Sequence, residues 1–295
     1  MLVKVQQNSA TLSWGLLLLL GLVWGSSFIL IKQGLTAFSA AEVGALRIAS
    51  ASLFLIPVAL PALRTLSRRH LKLLAFIGLF GSLGPAFLFA FAQTQLSSSV
   101  TGILNAVTPL NVLLLGAAFF GQRITRPEIG GLGAGLAGTV ILMLAGSSGN
   151  LSGINYYALL IIAATVCYGF NTNIIKNYLG DLKPTVITAV SLLLAGPPAV
   201  IYLFGASNFT EKVAGGTVGG PLAAIVLLGV LGTALALIMF NKLVQIRTAV
   251  FASSVTYLVP MVAIAWGVLD GESLSVGHFI GMGAILGGVY VANRH

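Results

Sequence analysis

The chain has 295 residues, of which 57% are hydrophobic and only 7% charged. A typical soluble domain carries roughly 25% charged residues, so this chain cannot cover itself with a water-facing surface. The fold class expected is an all-α integral membrane protein. The formal charge of +9 sits in short basic clusters between apolar runs, a pattern of membrane topology rather than a nucleic-acid patch. The single cysteine, Cys167, excludes an intrachain disulfide and a cysteine-based metal cage.

Residues 1–13 form a short polar tail carrying Lys4, followed by an apolar run that begins at Trp14. Small residues at Ala37 and Ser39 resemble a signal-cleavage site. The run, however, has about the ~20 residues needed to span a bilayer, and its echo lies mid-chain where no signal peptide can be. Apolar runs bounded by charged or Gly/Pro-rich breaks predict ten spans, at 14–34, 41–60, 72–95, 98–120, 128–145, 155–178, 184–205, 220–245, 249–268 and 276–293. The breaks are short, so neighbouring helices form tight antiparallel hairpins with no room for a soluble domain.

Basic residues test this count, because loops should alternate between rich and poor in Lys and Arg. With a cytoplasmic N-terminus, twelve of the fifteen fall on the inner side, and only Lys32, Arg47 and Lys212 fall on the outer half. One missed helix would invert every later loop and destroy the agreement. Both termini are therefore expected in the cytoplasm.

The first run contains Trp24-Gly25-Ser26-Ser27-Phe28-Ile29-Leu30-Ile31-Lys32, which returns 144 positions later as Tyr168-Gly169-Phe170-Asn171-Thr172-Asn173-Ile174-Ile175-Lys176. Further on, Gly78, Gly81, Phe89 and Pro109 align with Gly229, Gly232, Phe240 and Pro260, each 151 positions away. Gly121-Gln122-Arg123-Ile124-Thr125 matches Gly271-Glu272-Ser273-Leu274-Ser275, and Gly131, Gly133 and Gly138 match Gly281, Gly283 and Gly288. The chain thus divides into two five-helix repeats, 14–145 and 155–293. Because five is odd, the second enters the membrane from the opposite side. Inverted repeats of this kind are a common construction of secondary transporters, with the solute site at the repeat interface.

The Trp-Gly-Ser-Ser-Phe segment, the Leu46-Arg47 pair opening the second helix, the prolines at 109 and 260, and the Gly-Glu-x-Leu turn at 271–274 together resemble the EamA family of the drug/metabolite transporter superfamily. The resemblance spans nearly the whole chain. It implies ten helices in two inverted halves and movement of small organic metabolites, often export of amino acids or related compounds. The sequence departs from the family pattern at Gln122, where glutamate is usual, at Tyr168 in place of tryptophan, and at Ser191 opposite Arg47.

Helix 98–120 carries Thr101, Asn105, Thr108 and Asn111 within an arc of about 120°. Lipid would leave their hydrogen bonds unmade, so they face protein or a wet cavity. Either they wall a substrate site beside Pro109, or they make interhelical hydrogen bonds worth only ~0.6 kcal/mol on average. Asn105 and Thr108 are the substrate candidates, with Thr256 and Tyr257 in the matching position before Pro260. Trp24 and Tyr168 lie at mid-depth rather than in an interfacial belt, and line an amphipathic cavity or pack helices together. Phe87 and Phe91, one turn apart, are possible cavity walls against a background of packing or lipid contact. Arg47, about two turns inside its helix, is costly by up to ~3 kcal/mol near the bilayer centre; it is a candidate cavity or gate residue, expected to snorkel or to pair with a carboxylate such as Glu42 rather than to touch the substrate directly. Lys32 and Lys176 read as interface anchors or as parts of opposite gates.

An intramembrane enzyme is the competing class, but His70, His278 and His295 lie apart and no HExxH, GxSxG or paired-carboxylate pattern is present. All six acidic residues, Glu42, Glu128, Asp181, Glu211, Asp270 and Glu272, fall at helix ends or in connections. The sequence therefore predicts a facilitative carrier without cofactor or metal, with proton antiport as the alternative. Its partners are a small-molecule substrate and the lipid bilayer of the inner membrane, with no nucleic acid, as a monomer or weak homodimer.

Overall fold

The computed structural model describes residues 2–123, 125–146, 156–272 and 274–292. Residues 147–155, where the turn between the two halves is expected, lie outside them, as do Ile124, Ser273, Arg294 and His295. The described residues are all-helical apart from turns. Eight helices are long and apolar enough to cross a membrane: α1 (Thr11–Leu35), α2 (Ala40–Leu63), α3 (Arg68–Ala92), α4 (Ser98–Phe120), α6 (Tyr157–Tyr178), α7 (Pro184–Gly205), α8 (Gly219–Ile246) and α9 (Ala249–Leu269). Two further helices, α5 (Arg126–Gly146) and α10 (Val276–Ala292), complete the set with a short helical turn at Phe209–Ala214.

Local sequence explains where these helices start. Ser39 caps α2 in a reciprocal capping box with Glu42, and Ser67 caps α3 through the His70 amide. Ser97 accepts from the Val100 amide at the start of α4, and Thr248, 151 positions later, does the same for Phe251 in α9. Each cap satisfies an N–H that the first turn of a helix leaves without a partner.

Four helices depart from regular geometry at mid-length in two matched pairs, and α1 is interrupted by a single turn residue at Ser26. In α3 and α8 the helix widens to i→i+5 turns over Leu79–Leu83 and Leu228–Leu235. Such wide turns push backbone out of the regular ladder and recur at functional sites. In α4 the helix breaks between Asn105 and Thr108, and α9 tightens to a single 3-10 turn over Ser254–Tyr257. Prolines cause both, since Pro109 and Pro260 have no N–H for the carbonyls of Asn105 and Thr256 four residues earlier. In α4 the hydroxyl of Thr108 replaces that donor, at 2.7 Å from the Asn105 carbonyl.

Small residues set the helix contacts. A side chain at Gly25 would bring Cβ to 2.4 Å from Val262 Cβ of α9, and one at Gly169 would meet the Asn111 backbone of α4 at 3.0 Å. Close approach at these glycines packs α1 on α9 and α6 on α4. Helix α5 lies along α10, with Gly138 against the Gly281 carbonyl and Gly288 against the Gly131 carbonyl. Helices α2 and α7 pack along each other, and α1 also contacts α8 as α6 contacts α3.

Candidate central cavity

All four irregular segments face one space. A cavity of about 80 Å³ lies among α1, α2, α3, α4, α6, α8 and α9. On that measure a water needs roughly 10–15 Å³, so the space admits several waters or a small solute. Its walls are built from positions that correspond between the halves: Trp24 with Tyr168, Ser27 with Asn171 and Phe28 with Thr172 at one offset, and Gly81 with Gly232, Ser82 with Thr233, Phe89 with Phe240 and Asn105 with Thr256 at the other. The wide turns thus deliver Gly81, Ser82, Gly232 and Thr233 to the cavity, and the proline breaks deliver Asn105 and Thr256.

Several wall residues are fixed by neighbours. Trp24 donates its indole N–H to the Gly232 carbonyl at 2.9 Å and its ring lies 5.2 Å from that of Phe240. The Tyr168 ring stacks on Phe89 at 6.0 Å. Asn171, 7% exposed, seats its amide against Gly81, and its Oδ1 has no hydrogen-bond partner among the described residues.

Arg47 corrects the sequence-based expectation. Glu42 instead accepts from Lys212 Nζ at 2.6 Å and from the Ser39 amide at 2.7 Å. Five residues along a helix turn the side chain by about 140°, so Arg47 cannot share the face of Glu42. Its Nε donates to Thr233 Oγ1 at 2.8 Å, across the cavity wall from α8, and the guanidinium lines the cavity rather than snorkelling. Among the described residues it has no carboxylate partner.

The other candidates divide. Trp24, Asn105, Thr108, Tyr168 and Thr256 line the cavity and Tyr257 does not. Phe87 packs on Gly44 of α2 and on Tyr202 of α7, and Phe91 is 43% exposed on the outer face of the bundle. Thr101 and Asn111 make the structural hydrogen bonds, to the Ser97 carbonyl and to Thr165 respectively. Sequence reasoning passes over Ser27, Asn171, Thr172 and Thr233, although each falls in or beside the repeated segments. Register between the halves is the signal that points to them.

Lys32 and Lys176 lie at opposite ends of the bundle. Lys32 pairs with Asp270 and, at 3.5 Å, with Glu272 in the α9–α10 turn. Glu272 in turn accepts from the Ser98 and Ser99 amides at 2.9 and 3.0 Å, closing over the N-terminus of α4. Burial pushes the Glu272 carboxyl up, but its hydrogen bonds from Ser99 and Ser98 and the charge of Lys32 outweigh this and hold it below the ordinary carboxylate value. At the other end Lys176 donates to the carbonyls of Val244, Gln245 and Arg247, where α8 ends, while Arg247 Nε reaches Ser13 near the start of α1. Among the described residues no cluster of His, Cys, Asp and Glu could hold a metal.

Known proteins place this architecture. An uncharacterized inner membrane transporter of Escherichia coli K12, YedA, is 25% identical over 92% of this chain and 88% of its own length. A probable amino-acid metabolite efflux pump of Salmonella typhimurium is 27% identical over 94% of this chain and 93% of its own. A solved crystal structure shares the fold with a TM-score of 0.69 at 20% identity, covering 97% of this chain and 96% of that one. The model of the EamA-like transporter family matches residues 12–144 and again 155–294. This chain is therefore a multi-pass membrane protein that belongs to the EamA-like transporter family.

Proposed function

We propose that the protein is a facilitative secondary transporter that moves small organic metabolites, amino acids or related compounds, out of the cell across the inner membrane by alternating access. The observation that carries this reading is the central cavity walled by corresponding residues of the two halves. In this reading α5 and α10 also cross the bilayer, giving ten spans in two inverted repeats with both termini cytoplasmic. Two similar halves of opposite orientation can exchange conformations, which opens one site to either side in turn. The separate family matches to 12–144 and 155–294 support the two-repeat organisation. The Salmonella efflux pump supports the solute class and the outward direction.

Facilitative transport rests on the placement of charge. Proton coupling usually requires a carboxylate or histidine that titrates as the site changes sides. None of the described carboxylates or histidines lines the cavity. Purified protein in liposomes loaded with a mixture of the common amino acids should release a subset faster than protein-free liposomes, show counterflow, and equilibrate without an ion gradient. Uphill accumulation driven by a pH gradient alone would establish proton antiport instead, and absence of release would overturn the carrier reading.

A further inference from the structure

We propose that Arg47 is the counter-ion for a carboxylate of the transported solute, so that the carrier moves solutes bearing a single carboxylate and a hydrogen-bond donor. This assignment rests on the carrier reading above and adds its chemical selectivity. A buried cation without a partner is destabilising, and a protein retains one where a ligand supplies the missing charge. The protein supplies none here: the nearest carboxylate in sequence, Glu42, is held by Lys212 and Ser39, and no described carboxylate pairs with Arg47. Of the five N–H donors of a guanidinium, only Nε has an acceptor among the described residues, Thr233 Oγ1. That bond fixes the plane of the group and leaves its terminal donors to the cavity it lines.

A planar fork of this kind binds a carboxylate through two parallel hydrogen bonds. Charge balance selects a monoanion: Arg47 is the sole cation among the described residues of the wall, whereas a phosphate monoester carries about −1.5 to −2 at neutral pH. A second orphaned group points to the rest of the solute. Asn171 lines the same cavity, and its amide oxygen, packed against Gly81, has no donor among the described residues, so this residue can serve an ammonium or N–H group. The rings of Trp24, Phe89, Tyr168 and Phe240 leave an apolar or cationic portion between them. The site is polarised because Ser191, the position corresponding to Arg47, bonds to the Thr188 carbonyl and lies outside the cavity wall.

The test takes the fastest-released amino acid from the mixed-load liposomes and measures its counterflow against excess of itself, its α-amide and its decarboxylated amine. The acid should compete, and the amide and amine should compete at least tenfold more weakly. Arg47→Gln should slow counterflow at least tenfold, and Arg47→Lys should restore part of it. Without solute, Arg47→Gln should melt at or above the parental temperature, because it removes an unpaired, half-buried charge from the interior of the bundle. Equal competition by the amide or amine, or parental counterflow in Arg47→Gln, would overturn the assignment while leaving transport intact. Loss of counterflow together with a lowered melting temperature would mark Arg47 as a strut for α8 and overturn it too. If the parental protein releases no loaded amino acid, the carrier reading itself falls and this assignment with it.

Discussion

Lys32 and Lys176 end the two copies of the same nine-residue segment, yet they hold their ends of the bundle by different chemistry. Lys32 meets two carboxylates, one of which also receives the free amides at the N-terminus of α4. Among the described residues Lys176 meets only backbone carbonyls, at the end of α8. The residue that makes the difference is Glu272, whose counterpart in the first half is Gln122. Gln122 is neutral and donates to Asn173 Oδ1 at 3.1 Å. Both ends use hydrogen bonds that involve a charged group, worth ~1.5–3 kcal/mol each, but only the Lys32 end adds the attraction of opposite charges. Two similar sequences thus build one closure of paired opposite charges and one of a cation held on neutral carbonyls.

The largest effect should follow from breaking the ion-paired closure. In a Cys167→Ser background, a cysteine replacing Ser82 on the cavity wall reports opening by its rate of modification with a polar maleimide in detergent. Adding Glu272→Gln should raise that rate at least tenfold, in line with losing charge-assisted hydrogen bonds to two amides. Lys176→Met, which removes hydrogen bonds to carbonyls but breaks no ion pair, should raise it by a smaller factor than Glu272→Gln. Equal effects of the two changes would remove the asymmetry.

The smallest effect concerns pH. A carboxylate whose value is depressed in the folded state contributes stability above its unfolded value, and loses it as pH falls through the depressed folded one. Glu272 is such a group. The modification rate, corrected for thiol ionisation, should therefore stay flat from neutral pH down to the ordinary carboxylate range and rise only below it. A rise between neutral pH and pH ~5 would show that Glu272 titrates where a cell could use it, and would favour the proton-coupled alternative.

Much of the cavity is legible in the sequence because repeats declare themselves by register. The spacing of the two halves alone pairs Trp24 with Tyr168 and Asn105 with Thr256, and all four meet around one cavity. Three features are not legible. The expected pairing of Arg47 with Glu42 fails because proximity along the chain ignores helical phase, and because Lys212, 170 positions away, claims that carboxylate. The wide turns in α3 and α8 have no composition signal of their own, so nothing in the residue types marks Ser82 and Thr233. Phe87 and Phe91 lie one turn apart in α3, but the cavity takes Phe89 of that helix, a choice set by packing against α2 and α6 rather than by residue type.

Alternating access through this cavity requires the Lys32 end to open for solute to pass. Cysteines replacing Ser98 and Glu272, joined by a short disulfide-containing cross-linker in the Cys167→Ser background, would tie the N-terminus of α4 to the α9–α10 turn. In liposomes, amino-acid counterflow by the cross-linked protein should fall at least tenfold and return to the rate of the unlinked double variant once the linker is reduced. Counterflow that continues unchanged with that end tied would contradict alternating access through the cavity.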